Sequence, residues 1–573
     1  MYYYGYGYGY GSGPRMVGDL PLKGYSHFRS KLVVDSSDTR YCSDADRLEQ
    51  IQFALHDQSF NQSEVSIEST NAETPYHEDV LPNWDAFINR QENNDSLTSF
   101  TISNVELPPT PFFSEKLVPI LKNSANHLVS LELSRNVLKN IGIASVAALL
   151  KSLRNLVSLV LSRNNQWTNE EGIKLLSKAM KKHPSLSHVD LSYCSLGESI
   201  SALSLLLKGS EKLSSLILDY NDFESDGMAL ISKFLASHAT LTALSLRHKT
   251  ETKEGGKALT QSFLKPIAQT LERSSLRELS LRGSDLTLAT KVESKVLCDL
   301  LMHIDLSYNR IGVQGLKNVV TYLQGNPPLT GLNLAGNSFR KEAGASLMGV
   351  LKRNTNLAHL NLRHNSFSKA SMPFIIDALK NNSTLLTLDL TDNKLKAKSG
   401  GRKEIIDKAL FESTSLQSII DSNHTCQVYL SSNSWGNRET HEAELRRINA
   451  LDTSGQSIRF KVSLAMFTLK TIQFNPLAFQ HISLELMPRL LELVQQQVGY
   501  GGYGKNIWKV NRKERGKNPV LSRIYEVMTG WSMLPSLFER GPGKIKKKAV
   551  KKRKHAFAFK EADDEEWTPK EAN

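Results

Sequence analysis

A chain of 573 residues with 40% hydrophobic side chains can bury a sizeable core, and its four scattered cysteines exclude a disulfide scaffold. No apolar run reaches the roughly 18 residues needed to cross a bilayer, and the Tyr- and Gly-rich start lacks the basic-then-apolar order of a secretory signal. The formal net charge of +13 favours weak attraction to nucleic acid or acidic proteins, and with reduced thiols the composition suits nucleus or cytoplasm.

Residues 1–13, MYYYGYGYGYGSG, put aromatic rings on a glycine-rich backbone that cannot pack a core. They are expected to form a disordered tail, with self-association or stacking on bases as the sharper alternative. Asp46–Leu55 suits one short helix. Residues 57–95, rich in Asn, Gln, Ser, Asp and Glu, are expected to be a mainly disordered acidic linker, so that 1–95 is mostly without fixed structure.

From residue 96 to 425 a single pattern takes over. Leu-x-x-Leu-x-Leu-x-x-Asn, or a close variant, starts at Leu128, Leu156, Leu186, Leu213, Leu241, Leu276, Leu301, Leu329, Leu357, Leu385 and Leu416, and Leu97 with Phe100 and Ile102 fits as an N-terminal cap. The Leu-x-Leu pair alternates as a short half-buried strand. Asn136, Asn164, Asn221, Asn309, Asn337, Asn365 and Asn393 then turn the chain, each amide able to donate and accept to stacked backbone. Cys194 takes that place once as a buried thiol, whereas Lys249 and Ser284 depart from it. The second half of each unit, such as Phe339, Leu347, Val350 and Leu351, has the period of an amphipathic helix. Each unit can bury its leucines only against its neighbours, which makes a stack with a long open surface.

A 28-residue unit of strand, turn and full helix resembles the ribonuclease-inhibitor subclass of leucine-rich repeats. That subclass includes Ran GTPase-activating proteins and the repeat domains of intracellular immune receptors. The resemblance implies an α/β leucine-rich repeat solenoid, a horseshoe with parallel concave strands and convex helices, that binds protein partners. No nucleotide-binding domain accompanies the repeats, which disfavours an immune sensor. The Ran-activating family carries a long acidic tail, where this chain has a basic run before a short acidic patch.

Residues 426–540 keep apolar periodicity over 439–451, 458–469, 488–498 and 521–534, and are expected to be a helical cap or a separate helical module. In the disordered tail 541–573, Lys546, Lys547, Lys548, Lys551, Lys552, Arg553 and Lys554 resemble a nuclear-import signal, with non-specific nucleic-acid contact as the alternative.

Catalytic signatures are absent: there is no Walker loop, nucleophile elbow, H-E-x-x-H or C-x-x-C. No cofactor or metal is expected. His188, His248, His303, His359 and His364 are spaced too widely to share an ion, and are expected to be solvated or partner-facing. Alternation assigns the concave surface and strand exits Glu132, Asp190, Tyr193, Asp219, Tyr220, Arg247, His248, Lys249, Arg282, Asp305, Tyr308, Asn361, Arg363 and Asp389 as partner-binding candidates. Tyr and Arg are favoured interface anchors. The spacing is irregular in the middle, 35 residues from Leu241 to Leu276 and 25 to Leu301, so 247–256 is expected to loop out beside Arg282 as a basic patch for an acidic partner. The sequence therefore points to a non-enzymatic protein-binding scaffold, with a small-GTPase activator as runner-up.

Overall fold

The computed structural model describes residues 51–52, 55, 63–68, 76–109, 111–135, 142–164, 170–248, 271, 274–284, 286, 288, 291–395, 404–412, 416–430, 441–450, 457–458 and 461. By its contacts the chain divides into two units, Met1–Glu412 with Asp421–Ser457, and Ser413–Ile420 with Ile458–Asn573. The second unit shows the short helix Leu416–Ile420 and residues 458 and 461. The strands of the sheet all belong to the first.

Thirteen strands among the described residues form one parallel sheet in chain order. They are β1 (Glu64–Glu68), β2 (Ser99–Ser103), β3 (Ser130–Ser134), β4 (Ser158–Val160), β5 (His188–Asp190), β6 (Ser215–Ile217), β7 (Ala243–Ser245), β8 (Glu278–Ser280), β9 (His303–Asp305), β10 (Gly331–Asn333), β11 (His359–Asn361), β12 (Thr387–Asp389) and β13 (Gln427–Tyr429). Parallel neighbours need a crossover on one side of the sheet. Helices such as Glu170–Lys182, Val313–Leu323 and Met372–Asn381 supply it. In Glu170–Lys182 the apolar residues Ile173, Leu176, Ala179 and Met180 recur every three or four positions and are buried, while Glu170 and Glu171 open the helix and Lys181 and Lys182 close it, each sign matching the helix dipole.

The register aligns like with like. Leu131, Leu159, Val189, Leu216, Leu244 and Leu279 are successive partners across β3 to β8, and all are essentially buried. The ladder amides then hold the turns. Asn337 donates through Nδ2 to the carbonyls of Leu306 (3.0 Å) and Leu334 (3.1 Å) and accepts at Oδ1 from Ile311 N–H. Asn164, Asn221, Asn309, Asn365 and Asn393 make equivalent bonds. Cys194 is buried in the same place, with its thiol donating to the Leu161 carbonyl at 3.3 Å, as expected of a structural thiol.

A second ladder, which the leucine motif does not advertise, stands three residues before the first leucine. Asn354, Asn382 and Asn423 accept from the N–H groups of Leu357, Leu385 and Cys426, and donate to carbonyls of the preceding repeat. His183 and His238 do the same with imidazole, Nδ1 accepting from Leu186 and Leu241 and Nε2–H donating to the Leu153 and Ser210 carbonyls.

Three expectations change at the ends. Within the supposed acidic linker, β1 pairs with β2, burying Val65 and Ile67 beside Phe100 and Ile102, and helix Leu81–Gln91 buries Trp84, Phe87 and Ile88. The polar composition hid a sparse apolar set that an existing sheet edge can order. Leu416 does not start a strand but lies in a helix, and the last strand is β13, where Cys426, Val428 and Leu430 are buried in the leucine positions. The candidate helix over 439–451 appears as His441–Asn449 and packs on β13, so the sheet unit runs past residue 425. The Tyr/Gly start, Lys249 and most of its loop, the candidate helices from 458 on (458 and 461 excepted) and the basic run lie outside the described residues. No described helix is long and apolar enough to cross a membrane.

Candidate functional site

At the exits of β3–β6 and β8–β12 the residue before the ladder position turns sharply, in the left-handed region. Arg135, Arg163, Tyr193, Tyr220, Tyr308, His364 and Asp392 have φ between 54° and 66°, and Gly283 and Gly336 complete the series at 70° and 67°. A residue with a Cβ costs about 1 kcal/mol or more in this conformation. The turn is held by the neighbouring repeat: the N–H groups of Arg163, Tyr193, Tyr220 and Tyr308 donate to the carbonyls of Ser192, Asp219, Arg247 and Ala335 at 2.7–2.8 Å. In seven of these repeats a side chain is thereby set along a common rim.

The rim side chains stack on one another. Tyr193 and Tyr220 are parallel-stacked with centroids 4.3 Å apart, close to the spacing of adjacent strands. The Arg163 guanidinium lies 4.5 Å over Tyr193, and that of Arg282 lies 4.3 Å over Tyr308. The other side of Tyr308 meets the backbone of Gly336, where a Cβ would fall 2.7 Å from the ring. Glycine is therefore required there on two grounds. Further along, exposed Arg363 donates from Nε to Asp392 at 2.7 Å.

The candidates on the strand face have internal duties. Asp190, Asp305 and Asp389 accept from the N–H of Ser192, Ser307 and Thr391, two residues on, and Asn361 accepts from Arg363 N–H. Such short loops from a side chain to nearby backbone close the strand ends. Asp305, Asn361 and Asp389 are at most 2% exposed. Burial raises the Asp389 carboxyl above its ordinary value, and it raises Asp219 despite the opposing Arg247. Glu132, half-buried, accepts from Ser134 Oγ.

Arg247, expected at the centre of a free basic patch, is instead enclosed by carboxylates. Its guanidinium lies 3.6 Å from Asp219 and 3.8 Å from Asp305, and Nε donates to Ser280 Oγ. His248 is buried, and desolvation lowers its pKa. His188 is buried too, and the same cause lowers it to about 4. These two are thus not solvated, as alternation alone suggested, because neighbouring strands leave no room at the sheet surface. His303 keeps a loose contact with Glu278 at 3.6 Å, and His359 is hydrogen-bonded to Thr387 Oγ1. No group of His, Cys, Asp and Glu suited to a metal ion occurs among the described residues.

The structure therefore brings Tyr193, Tyr220, Arg282, Tyr308 and Arg363 to the accessible rim. It places Asp219, His248, Asp305, Asn361 and Asp389 in the buried sheet surface. Sequence reading missed Arg163 and Asp392 as rim members. Their signal was present: each directly precedes a ladder Asn.

A family model described as Leucine Rich repeat matches residues 298–320 and 381–400. These repeats are leucine-rich repeats. Among solved structures, the leucine-rich repeat-containing protein LegL7 from Legionella pneumophila is 20% identical, covering 53% of this chain and 94% of that one with a TM-score of 0.36. Rad7 in its yeast complex with Elc1 is matched at 18% identity over 55% of this chain and 82% of that chain, TM-score 0.34. The complex of TLR13 with ssRNA13 is matched at 20% identity over 57% and 41%, TM-score 0.30. No curated protein matches the chain.

Proposed function

We propose that this leucine-rich repeat chain is a non-catalytic protein-binding scaffold that grips its partner along the strand-exit rim. The observation that carries the reading is the Arg163–Tyr193–Tyr220 stack with its counterpart Arg282–Tyr308, in which Arg163 and the three tyrosines stand at strained backbone positions. Stacked Tyr and Arg lose little rotamer entropy on binding and are frequent interface anchors. Affinity capture from a cell extract tests it. The full chain and its Tyr193→Ala/Tyr220→Ala/Arg282→Ala variant are compared, and the variant is expected to lose the partner while melting within a few degrees of the parent. Recovery of the same protein by a folded variant would sink the rim.

The GTPase-activating alternative wants an Asn free to position water or a bound nucleotide. The described ladder amides, Asn164, Asn221, Asn309, Asn337, Asn365 and Asn393, are each committed to backbone carbonyls. GTP hydrolysis by a panel of small GTPases should be unchanged when the chain is added. For the basic run we propose nuclear import. Replacing Lys546, Lys547, Lys548, Lys551, Lys552, Arg553 and Lys554 by Ala should abolish nuclear accumulation, and a folded variant that still accumulates there would refute it.

A further inference from the structure

Several described arginines face carboxylates within the fold. Arg247 faces Asp219 and Asp305, Arg363 bonds Asp392, and Arg446 bonds Glu442. Arg163 and Arg282 differ: each guanidinium lies over a tyrosine ring, and neither has a carboxylate partner among the described residues. A guanidinium over a ring face still has its N–H donors to offer to a further partner. It is already ordered, so seating an anion on it costs less than on a free side chain.

The surroundings of the two stacked rings bear on which anion fits. A nucleobase binds such a rim by stacking on an open ring face. Tyr193 is covered by Arg163 on one face and by Tyr220 on the other, and Tyr308 lies between Arg282 and the Gly336 backbone. With both of these ring faces taken, a base has no place to stack on them. Guanidinium edges are satisfied in pairs by carboxylate or phosphate, and without base stacking the carboxylate of a peptide is the one favoured.

Resting on the reading of the rim as the contact surface, we propose that it receives an extended acidic segment of a protein partner, lying across the repeats with one carboxylate on Arg163 and another on Arg282. Arg163 follows β4 and Arg282 follows β8, so the two are four strand steps apart, about 19 Å. That is roughly six residues of extended chain, and residues i and i+6 of a strand share a face. Exposed Asp222 lies near His248 between the two positions and disfavours acid in the middle of the segment. The charges belong at its ends.

Fluorescence anisotropy with the full chain tests this. The probes are labelled Ser/Gly peptides with Glu at i and i+6, with Glu at i and i+3, or with Gln at i and i+6, and a single-stranded deoxythymidine oligomer. The i, i+6 peptide should bind about tenfold more tightly than the Gln peptide, more tightly than the i, i+3 peptide, and less well as salt rises. Arg163→Gln with Arg282→Gln should reduce it to the level of the Gln peptide. Arg163→Lys with Arg282→Lys, which keeps charge but loses the planar fork, should fall between. Equal binding by the parent and the Gln variant would overturn the proposal, because the charge then comes from elsewhere in the chain. An oligonucleotide that binds more tightly than any peptide, and is lost in the Gln variant, would overturn it in favour of phosphate. A Gln variant that loses the captured cellular protein but not the acidic peptide leaves the rim standing and sinks only its acidic occupant.

Discussion

Asn337 carries several bonds that no other side chain there replaces. Its amide serves the Leu306, Leu334 and Ala335 carbonyls and the Ile311 N–H, all buried. Asn337→Ala strands these groups without water, at about 1–3 kcal/mol for each one left unsatisfied. Urea unfolding should show a loss of at least about 3 kcal/mol, and a loss below 1 kcal/mol would mean that the ladder relaxes onto other partners. His188 gives a pH signature. Its folded pKa of about 4 lies below the ordinary 6.5, so between these values the unfolded chain binds a proton that the folded chain refuses. Stability contributed above pH 6.5 is therefore lost as pH falls through this window, by up to about 3 kcal/mol. Asp219 and Asp389, raised by burial, act with opposite sign, gaining stability as pH falls. The comparison is thus best made between the parent and His188→Gln, whose unfolding free energy should decline less from pH 7 to pH 5. Parallel declines would show that His188 takes up its proton in the folded chain.

At the scale of elements, β1 is the informative one. It caps β2 by placing Val65 opposite Phe100 and Ile67 opposite Ile102, and both of its apolar side chains are buried. Val65→Ser with Ile67→Ser removes that cover and should cost about 2–5 kcal/mol, with β2 left as an unpaired edge prone to association. Chemical denaturation and light scattering read the two effects separately. Unchanged stability with no added scattering would mean that the sheet effectively begins at β2. The opposite end makes the same point about registers. β13 was illegible to a search for leucine because Cys426 and Val428 fill the positions, yet Asn423, three residues before Cys426, repeats the place of Asn354 before Leu357 and Asn382 before Leu385.

The whole stack is bound through nearest neighbours, since each strand pairs only with the one before and the one after. Damage should therefore stay local. In Leu332→Ala, a cavity under β10, hydrogen exchange should accelerate in β9, β10 and β11 while amides of β2 and β3 keep their protection. Uniform acceleration from end to end would mean that the sheet opens as one cooperative unit. The same one-dimensional order aligns the rim, because a feature that recurs from repeat to repeat becomes a line along the stack.

Much of this architecture was written locally. A leucine at fixed spacing, an Asn nine positions into each unit and a helical period behind it specify strand, turn and crossover wherever they occur, because each needs only contacts repeated from unit to unit. The tyrosines at the strand exits were visible for the same reason. Which polar residues remain available for a partner was not local. Arg247 and Arg282 occupy equivalent places in adjacent repeats, but Arg247 is neutralised by carboxylates on β9 and beside β6, whereas Arg282 rests on a ring one repeat away. Asp305 and Asp389 alternate outward by pattern and yet turn back to their own backbone in a crowded sheet. Charge pairing and burial depend on what neighbouring repeats place beside each position, and only the stacked structure decides that.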